Sequence, residues 1–254
     1  MSTVQITWPV FKAKLVSRTE IARATMAFRF ERPQGWTFKA GQFVDLTVLN
    51  PPETDAEGNV RGFSIASAPY EDTLMVATRM QNTAFKRVLA TIPLQTEVKI
   101  EGPFGNLVIH NNVKKPAILL AGGIGITPFH SIVLQAAHDR LPHKILLFYS
   151  NNGPEDAPFL DELRKLEKTN PKYRLIPTMT AMERSQRQWS GETGVINPKM
   201  LSKYLQAATP SDPKIAEAIY YIAGPPGMVA AIRKMLVDWG ADEDNIRIEE
   251  FAGY

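Results

Sequence analysis

An antiparallel Greek-key β-barrel followed by a doubly wound α/β parallel sheet is the fold the sequence predicts, with two domains over residues 1–112 and 113–254. Three observations predict it. The first half carries short runs of alternating apolar and polar residues between turn signals, as half-buried antiparallel strands do. The second half alternates continuous apolar runs with amphipathic stretches, the pattern of buried parallel strands and covering helices. The 254 residues are 44% hydrophobic and 22% charged, enough apolar material for two cores.

The elements follow in order. Residues 11–30 hold two strand candidates broken near Ser17, Arg18, Thr19 and Glu20. Residues 43–48 and 97–100 alternate with a period of two, so each predicts a strand with one buried face. Turns are expected at Pro33-Gln34-Gly35, Asn50-Pro51-Pro52, Gly58-Asn59 and Gly102-Pro103-Phe104-Gly105. One helical segment, about residues 83–90, interrupts the strands. After Lys114-Lys115-Pro116 the pattern changes. Residues 117–120 form an apolar run expected of a buried parallel strand, and a glycine turn leads into a helix over 128–139 that ends before Pro142. Strands follow at 144–149, 174–176, 219–223 and 245–251. Between them lie a helix over 157–168, with Phe159, Leu160, Leu163 and Leu166 on one face, and a helix from 226 to 239 closed by Gly240.

Composition narrows the chemistry. The absence of cysteine excludes disulfides, thiolate-held iron–sulfur clusters and haem, and cysteine zinc sites. The four histidines show no metal-ligand spacing, so no metal is expected and any cofactor should be organic. A net charge of +3, without a basic stripe interleaved with aromatics, gives no reason to expect nucleic acid. No apolar run reaches the roughly 20 residues that cross a bilayer, and residues 1–5 do not open a signal peptide, so a cytoplasmic location without membrane insertion is expected.

Four segments carry chemistry. Gly122-Gly123-Ile124-Gly125-Ile126-Thr127-Pro128 joins a strand to a helix, where glycines admit a ligand to the backbone and the helix end offers N–H groups to phosphate. Ala223-Gly224-Pro225-Pro226-Gly227-Met228 repeats that placement as a stiff shelf. In Arg61-Gly62-Phe63-Ser64 an arginine can pair with phosphate, an aromatic can lie against a flat ring, and a serine can bond a ring nitrogen. Taken alone, it is also an ordinary strand with Phe63 in the core. The last segment, Glu249-Glu250-Phe251-Ala252-Gly253-Tyr254, ends on aromatics after a strand, where termini are usually polar.

In this order and spacing, with Gly102-Pro103-Phe104-Gly105 between them, these segments resemble the ferredoxin–NADP reductase family over residues 7–254. The family's Arg-x-Tyr-Ser motif has Phe63 in place of tyrosine. The resemblance implies FAD in the barrel, NAD(P)H as a diffusible co-substrate on the second domain, and an electron-transferring oxidoreductase. Arg61 would hold the FAD diphosphate, Gly62 would lie among the FAD-binding residues, Phe63 would pack near the isoalloxazine, and Ser64 would sit near its reactive nitrogen. Thr78, Arg79 and Met80 would line the cofactor's outer edge, and Asn82, Thr83 and Ala84 would meet the diphosphate. Gly122, Gly123, Ile124, Gly125, Ile126 and Thr127 would carry the nicotinamide dinucleotide's diphosphate. Gly224, Pro225 and Met228 would border its nicotinamide. Ser64 and Glu249 would be the catalytic pair, with Phe251, extended by Tyr254, covering the flavin face. Two departures stand out. Ala223 replaces a cysteine common in relatives, and three residues follow the terminal aromatic.

The ribose end stays open between NADH and NADPH. Ser150 and Asn151, where the second parallel strand ends, can bond either ribose, and no carboxylate or arginine stands there to choose. The favoured acceptor is a ferredoxin, a flavodoxin or another small redox protein. The alternatives are a reductase component of a multi-component oxygenase or larger redox complex, and a nucleotide-binding module without redox activity.

Overall fold

The computed structural model describes residues 8–208 and 217–251. Its first half is six antiparallel strands: β1 (Val10–Ala22), β2 (Thr25–Glu31), β3 (Phe43–Val48), β4 (Val60–Ser64), β5 (Thr73–Arg79) and β6 (Glu97–Phe104), in the order β4-β3-β6-β1-β2-β5. β6 returns to lie between β3 and β1, the Greek-key crossover, and a bridge from Ile65 to Val76 closes the barrel. Val44, Leu46, Val98 and Ile100 point into the barrel with Phe28, Phe30 and Leu74, which is why these strands alternate. Helix α1 (Ala84–Thr91) plugs one end through Phe85, Val88 and Leu89.

The expected break at residues 17–20 is absent. β1 runs through it, and the chain turns at Arg23 and Ala24 instead. Register shifts between Leu15 and Ser17 and between Glu20 and Ala22 absorb the interrupted alternation as bulges.

The second half is a parallel sheet of β7 (Ala117–Gly122), β8 (Ile145–Asn151), β9 (Tyr173–Met179), β10 (Glu192–Thr193), β11 (Ile219–Gly224) and β12 (Ile246–Glu250), ordered β10-β9-β8-β7-β11-β12. Helices α2 (Ile126–His138) and α3 (Leu160–Thr169) cover one face, and α4 (Pro198–Ala208) and α5 (Pro226–Asp238) the other. Leu119 and Ala121 face the first layer and Ile118 and Leu120 the second, so the continuous apolar run of β7 reflects burial on both sides. The strand order reverses between β7 and β11, the switch point where open α/β sheets take ligands.

The two halves meet through directed polar contacts. Ser131 Oγ donates to Ser67 O at 2.7 Å, and the His130 ring lies 2.7 Å from Ala66 O and 3.0 Å from Glu162. Arg23 grips Asp156 at 2.8 and 2.6 Å, and Arg79 approaches the same carboxylate at 3.7 Å.

A second polar knot ties the connection between the halves to the sheet. His110 Nε2 bonds Lys115 O at 2.9 Å, so Nδ1 is the acceptor that faces Tyr221 OH at 2.9 Å. That hydroxyl also accepts from His110 N, while Arg247 lies 3.3 Å away. Burial holds the His110 pKa below its usual range, opposed by its bond to Lys115 O. The unfolded chain therefore binds this proton more readily. The stability from neutral His110 is complete above the ordinary histidine range and declines as pH falls through it. Denaturation midpoints should drop between about pH 6.5 and pH 5, and less steeply in a His110→Gln variant. Parallel curves for the two proteins would assign the acid loss elsewhere.

Candidate functional site

A cleft of about 580 Å³ lies where the barrel meets the end of β12. β4 brings Arg61, Gly62, Phe63 and Ser64 to it, and β5 brings Ala77, Thr78 and Arg79. Thr83 and Lys86 enter from the start of α1, Ile124 from the glycine turn, and Glu249 and Phe251 from the last strand and the residue after it. Segments far apart in sequence thus converge on one space. Its lining combines the apolar Phe43, Phe63, Ala77 and Phe251 with polar and charged side chains.

Part of the polar lining is an acid–hydroxyl pair. Ser64 is buried, and its Oγ donates to Glu249 Oε1 at 2.7 Å across 185 residues. Burial raises the Glu249 pKa, and the bond from Ser64 opposes that. β12 delivers this carboxylate because Glu249 is in register with Ala223 of β11, whose carboxyl end faces the barrel. Phe251 N then donates to Gly224 O at 3.0 Å, pinning the aromatic beside the shelf.

The lining also carries cations, Arg61, Arg79 and Lys86. Arg61 Nη2 meets Asp55 Oδ1 at 3.1 Å and Glu57 Oε2 at 2.9 Å, and its Nη1 donates to the carbonyls of Glu57, Gly58 and Val60. The guanidinium lies 5.1 Å over the Phe85 ring. Asp55 Oδ2 accepts from Ala84 N at 3.2 Å. Burial pushes the Asp55 pKa up, but the bonds from Arg61 and the backbone together outweigh it and hold the pKa low.

The predicted site residues divide. Arg61, Gly62, Phe63, Ser64, Thr78, Arg79, Thr83, Ile124, Glu249 and Phe251 all line the cleft. Phe63 both lines the cleft and belongs to the barrel core, its ring 5.9 Å from that of Phe85. Met80 does not line the cleft. Its side chain packs on the barrel core, because the chain turns inward where Met80 N bonds Ala24 O. Asn82 lies in a neighbouring groove, bound to Arg87 at 2.7 Å, and Ala84 is buried beside it. Tyr254 lies outside the described residues. Lys86, Glu57 and Asp55 have no sequence signal, since only the folded barrel sets the 50s loop against α1.

The glycine turn and the shelf lie side by side at the switch point. A Cβ on Gly122 would stand 2.3 Å from the Met228 sulfur and 3.2 Å from Pro225 Cδ, and one on Gly125 would stand 2.3 Å from Ala223 O. These glycines are needed first for close packing of the turn on the shelf. Gly123 has φ +53° and lets the turn double back, and Thr127 Oγ1 donates to Ile124 O at 3.0 Å, so that side chain is spoken for. Ile126 is buried in the core below. Neither α2 nor its preceding turn carries an acid in its first turn, which leaves the N-terminal N–H groups to favour an anion. At the end of β8, Ser150 is half-buried and pairs with Gly122 across the ladder. Asn151 beside it is 6% exposed, yet neither side-chain polar atom has a protein partner. Buried amides rarely go unpartnered, and because both atoms lie out of solvent's reach a ligand group would meet them only after the side chain turns outward.

The cleft thus lies between the barrel and the last strand of a switch-point sheet, beside the crevice where open α/β sheets take ligands. Residues 119–234 match the Oxidoreductase NAD-binding domain family. A ferredoxin NADP+ reductase from Neisseria gonorrhoeae, solved with bound FAD and NADP, superposes with a TM-score of 0.77 at 25% identity, over 95% of this chain and 98% of that one. NADH-cytochrome b5 reductase 1 of Neosartorya fischeri is 27% identical over 231 residues, 87% of this chain and 71% of that protein. One component of the Na(+)-translocating NADH-quinone reductase of Methylococcus capsulatus is 28% identical over 158 residues, 62% of this chain but only 37% of that component. Residues 119–234 thus carry an oxidoreductase NAD-binding domain, and the chain as a whole is similar to the ferredoxin–NADP reductase-like FAD- and NAD(P)-binding oxidoreductases. Acceptors differ among these relatives by their names. Among the described residues no helix is long and apolar enough to cross a membrane.

Proposed function

We propose that the cleft binds FAD, that the turn and shelf bind a nicotinamide dinucleotide, and that the protein passes electrons from NAD(P)H to a separate acceptor, a ferredoxin or flavodoxin. The observation that carries this reading is the Ser64–Glu249 hydrogen bond, which joins the barrel to the last strand of the parallel sheet beside the aromatic lining of the cleft. The lining fits the cofactor chemically: cations and a helix N-terminus suit a diphosphate, aromatic side chains a flat ring, and a hydroxyl–carboxyl pair its polar edge. When bound, FAD supplies the ability to take up two electrons with a hydride and release them singly.

The chain's own residues do the positioning. Arg61 and the start of α1 hold the anionic part. Phe63 and Phe251 bound the flat part and exclude water, and Ser64 holds a proton toward Glu249. Asn151 and the start of α2 receive the dinucleotide. The weak net positive charge suits an acidic redox partner.

The test is an anaerobic titration of the FAD-loaded protein with NADH and NADPH in parallel. Bleaching of flavin absorbance by either is the expected result, and the faster donor names the preferred nucleotide. Bound FAD that neither donor bleaches would overturn the reading. With a reduced protein in hand, ferredoxin, flavodoxin and cytochrome b5 can be compared as acceptors, and failure with the first two would remove them.

A further inference from the structure

Lys86 stands where helix chemistry calls for an acid. Thr83 is the N-cap of α1, and its side chain accepts from Lys86 N at 3.4 Å, so Lys86 is the third helical residue. In a capping box that position holds Glu or Gln, which also answers the positive end of the helix dipole. The first turn of α1 carries no acid. It carries Lys86 and, next to it, Arg87. Arg87 is accounted for by Glu53, at 2.9 Å from its Nε. The Lys86 ammonium has no ion-pair or hydrogen-bond partner among the described residues, yet it lines the cleft with Arg61 and Thr83. Burial lowers its pKa, Arg61 lowers it further, and Glu57 partly offsets both.

The nearby acids do not serve it. Asp55 bridges Arg61 and Ala84 N with its two oxygens, at 3.1 and 3.2 Å, and Glu57 meets Arg61 at 2.9 Å. A carboxylate spanning a guanidinium and a helix-end amide uses the donors that a phosphate oxygen pair would use. This corner of the cleft is therefore built for anionic oxygens, with one cation still unmatched.

We propose that Lys86 binds the cofactor's diphosphate beside Arg61, and that Asp55 and Glu57 compete with that diphosphate for the same donors. The proposal rests on the FAD reading above. It makes FAD affinity depend on salt, on Lys86 and, in the opposite sense, on Asp55. A purely structural role would be different: the lysine stem covers the cleft wall and its head does nothing.

The test titrates FAD and riboflavin into the full chain after flavin removal, at low and high salt, reading flavin fluorescence. Lys86→Met keeps the stem and removes the charge. It should weaken FAD about tenfold or more and flatten the salt dependence, with riboflavin unchanged, since riboflavin lacks the diphosphate. Lys86→Arg should retain FAD, and Asp55→Asn should tighten it several-fold. Lys86→Met with unchanged FAD affinity overturns the proposal, and so does equal weakening of FAD and riboflavin, which marks a packing role. Wild-type chain that takes up no FAD overturns the cofactor reading and the proposal with it, a result distinct from both.

Discussion

Gly125→Ala is expected to lower the stability of the parallel-sheet domain by about 3 kcal/mol, the upper end for overpacking a close contact. The added methyl would stand 2.3 Å from Ala223 O, 2.5 Å from Ala223 C and 2.7 Å from Gly224 Cα. All three are backbone atoms of β11, a fully buried central strand, so they cannot yield as a side-chain tip would. The dihedral angles are not at issue, because Gly125 sits at φ −59° and ψ −2°, where alanine is at ease. The whole effect is contact, and its relief lifts the glycine turn off the shelf. Binding of a nicotinamide dinucleotide should fail along with stability. Gly227→Ala is the control. It lies in the first turn of α5 with nothing within 4 Å of its added methyl, so it should be neutral or stabilising by up to about 1 kcal/mol. Urea midpoints for the two variants measure the difference. Equal midpoints would mean that the turn and shelf do not interlock.

That contact illustrates what the sequence discloses and what it withholds. The glycines of the turn are legible, but local pattern explains them by ligand approach alone. The structure adds strand-to-turn packing between residues about a hundred positions apart, which no local pattern carries. Strands β7, β8 and β11 are legible because burial on both faces leaves unbroken apolar runs. Helix α3 is legible from its stripe of Leu160, Leu163 and Leu166. Helix α4 escapes the sequence reading, although Met200, Leu201, Tyr204 and Leu205 make a helical stripe, because it follows a long loop rich in polar residues. The two residues of β10 are too few for any period to register. In the site, motif residues on strands β4 and β12 can be named from spacing. Spacing alone does not tell that Met80 packs on the barrel core and Asn82 lines the neighbouring groove, since one turn of chain decides which way each faces. Asp55, Glu57 and Lys86 carry no motif at all, and only barrel closure makes them neighbours.

Glu249→Gln should cut the rate of flavin reduction by NAD(P)H about a hundredfold while making the protein more stable at neutral pH, and the opposite signs are the point. Burial raises the Glu249 pKa above its ordinary value. The folded state then holds this proton more tightly than the unfolded chain does. The stability it confers is full below the ordinary glutamate range and is lost as pH rises through the raised folded value. Ionising this buried carboxyl therefore opposes folding. Glutamine removes that charge and keeps an oxygen to accept from Ser64, so the cleft should persist with less strain. What glutamine cannot do is change its protonation as the cleft's electron count changes. Melting temperatures of wild type and variant should converge near about pH 4 and separate toward about pH 7.5, with the variant higher. Stopped-flow absorbance on the same samples gives the rate. A slow and less stable variant would reassign Glu249 to holding β12 against the barrel, and a fast one would leave proton handling to some other group. Ser64→Ala supplies the companion result. Without the serine's donation only burial acts on the carboxyl, so the group should titrate at still higher pH than in the wild type, and the pH profile of flavin reduction should move with it.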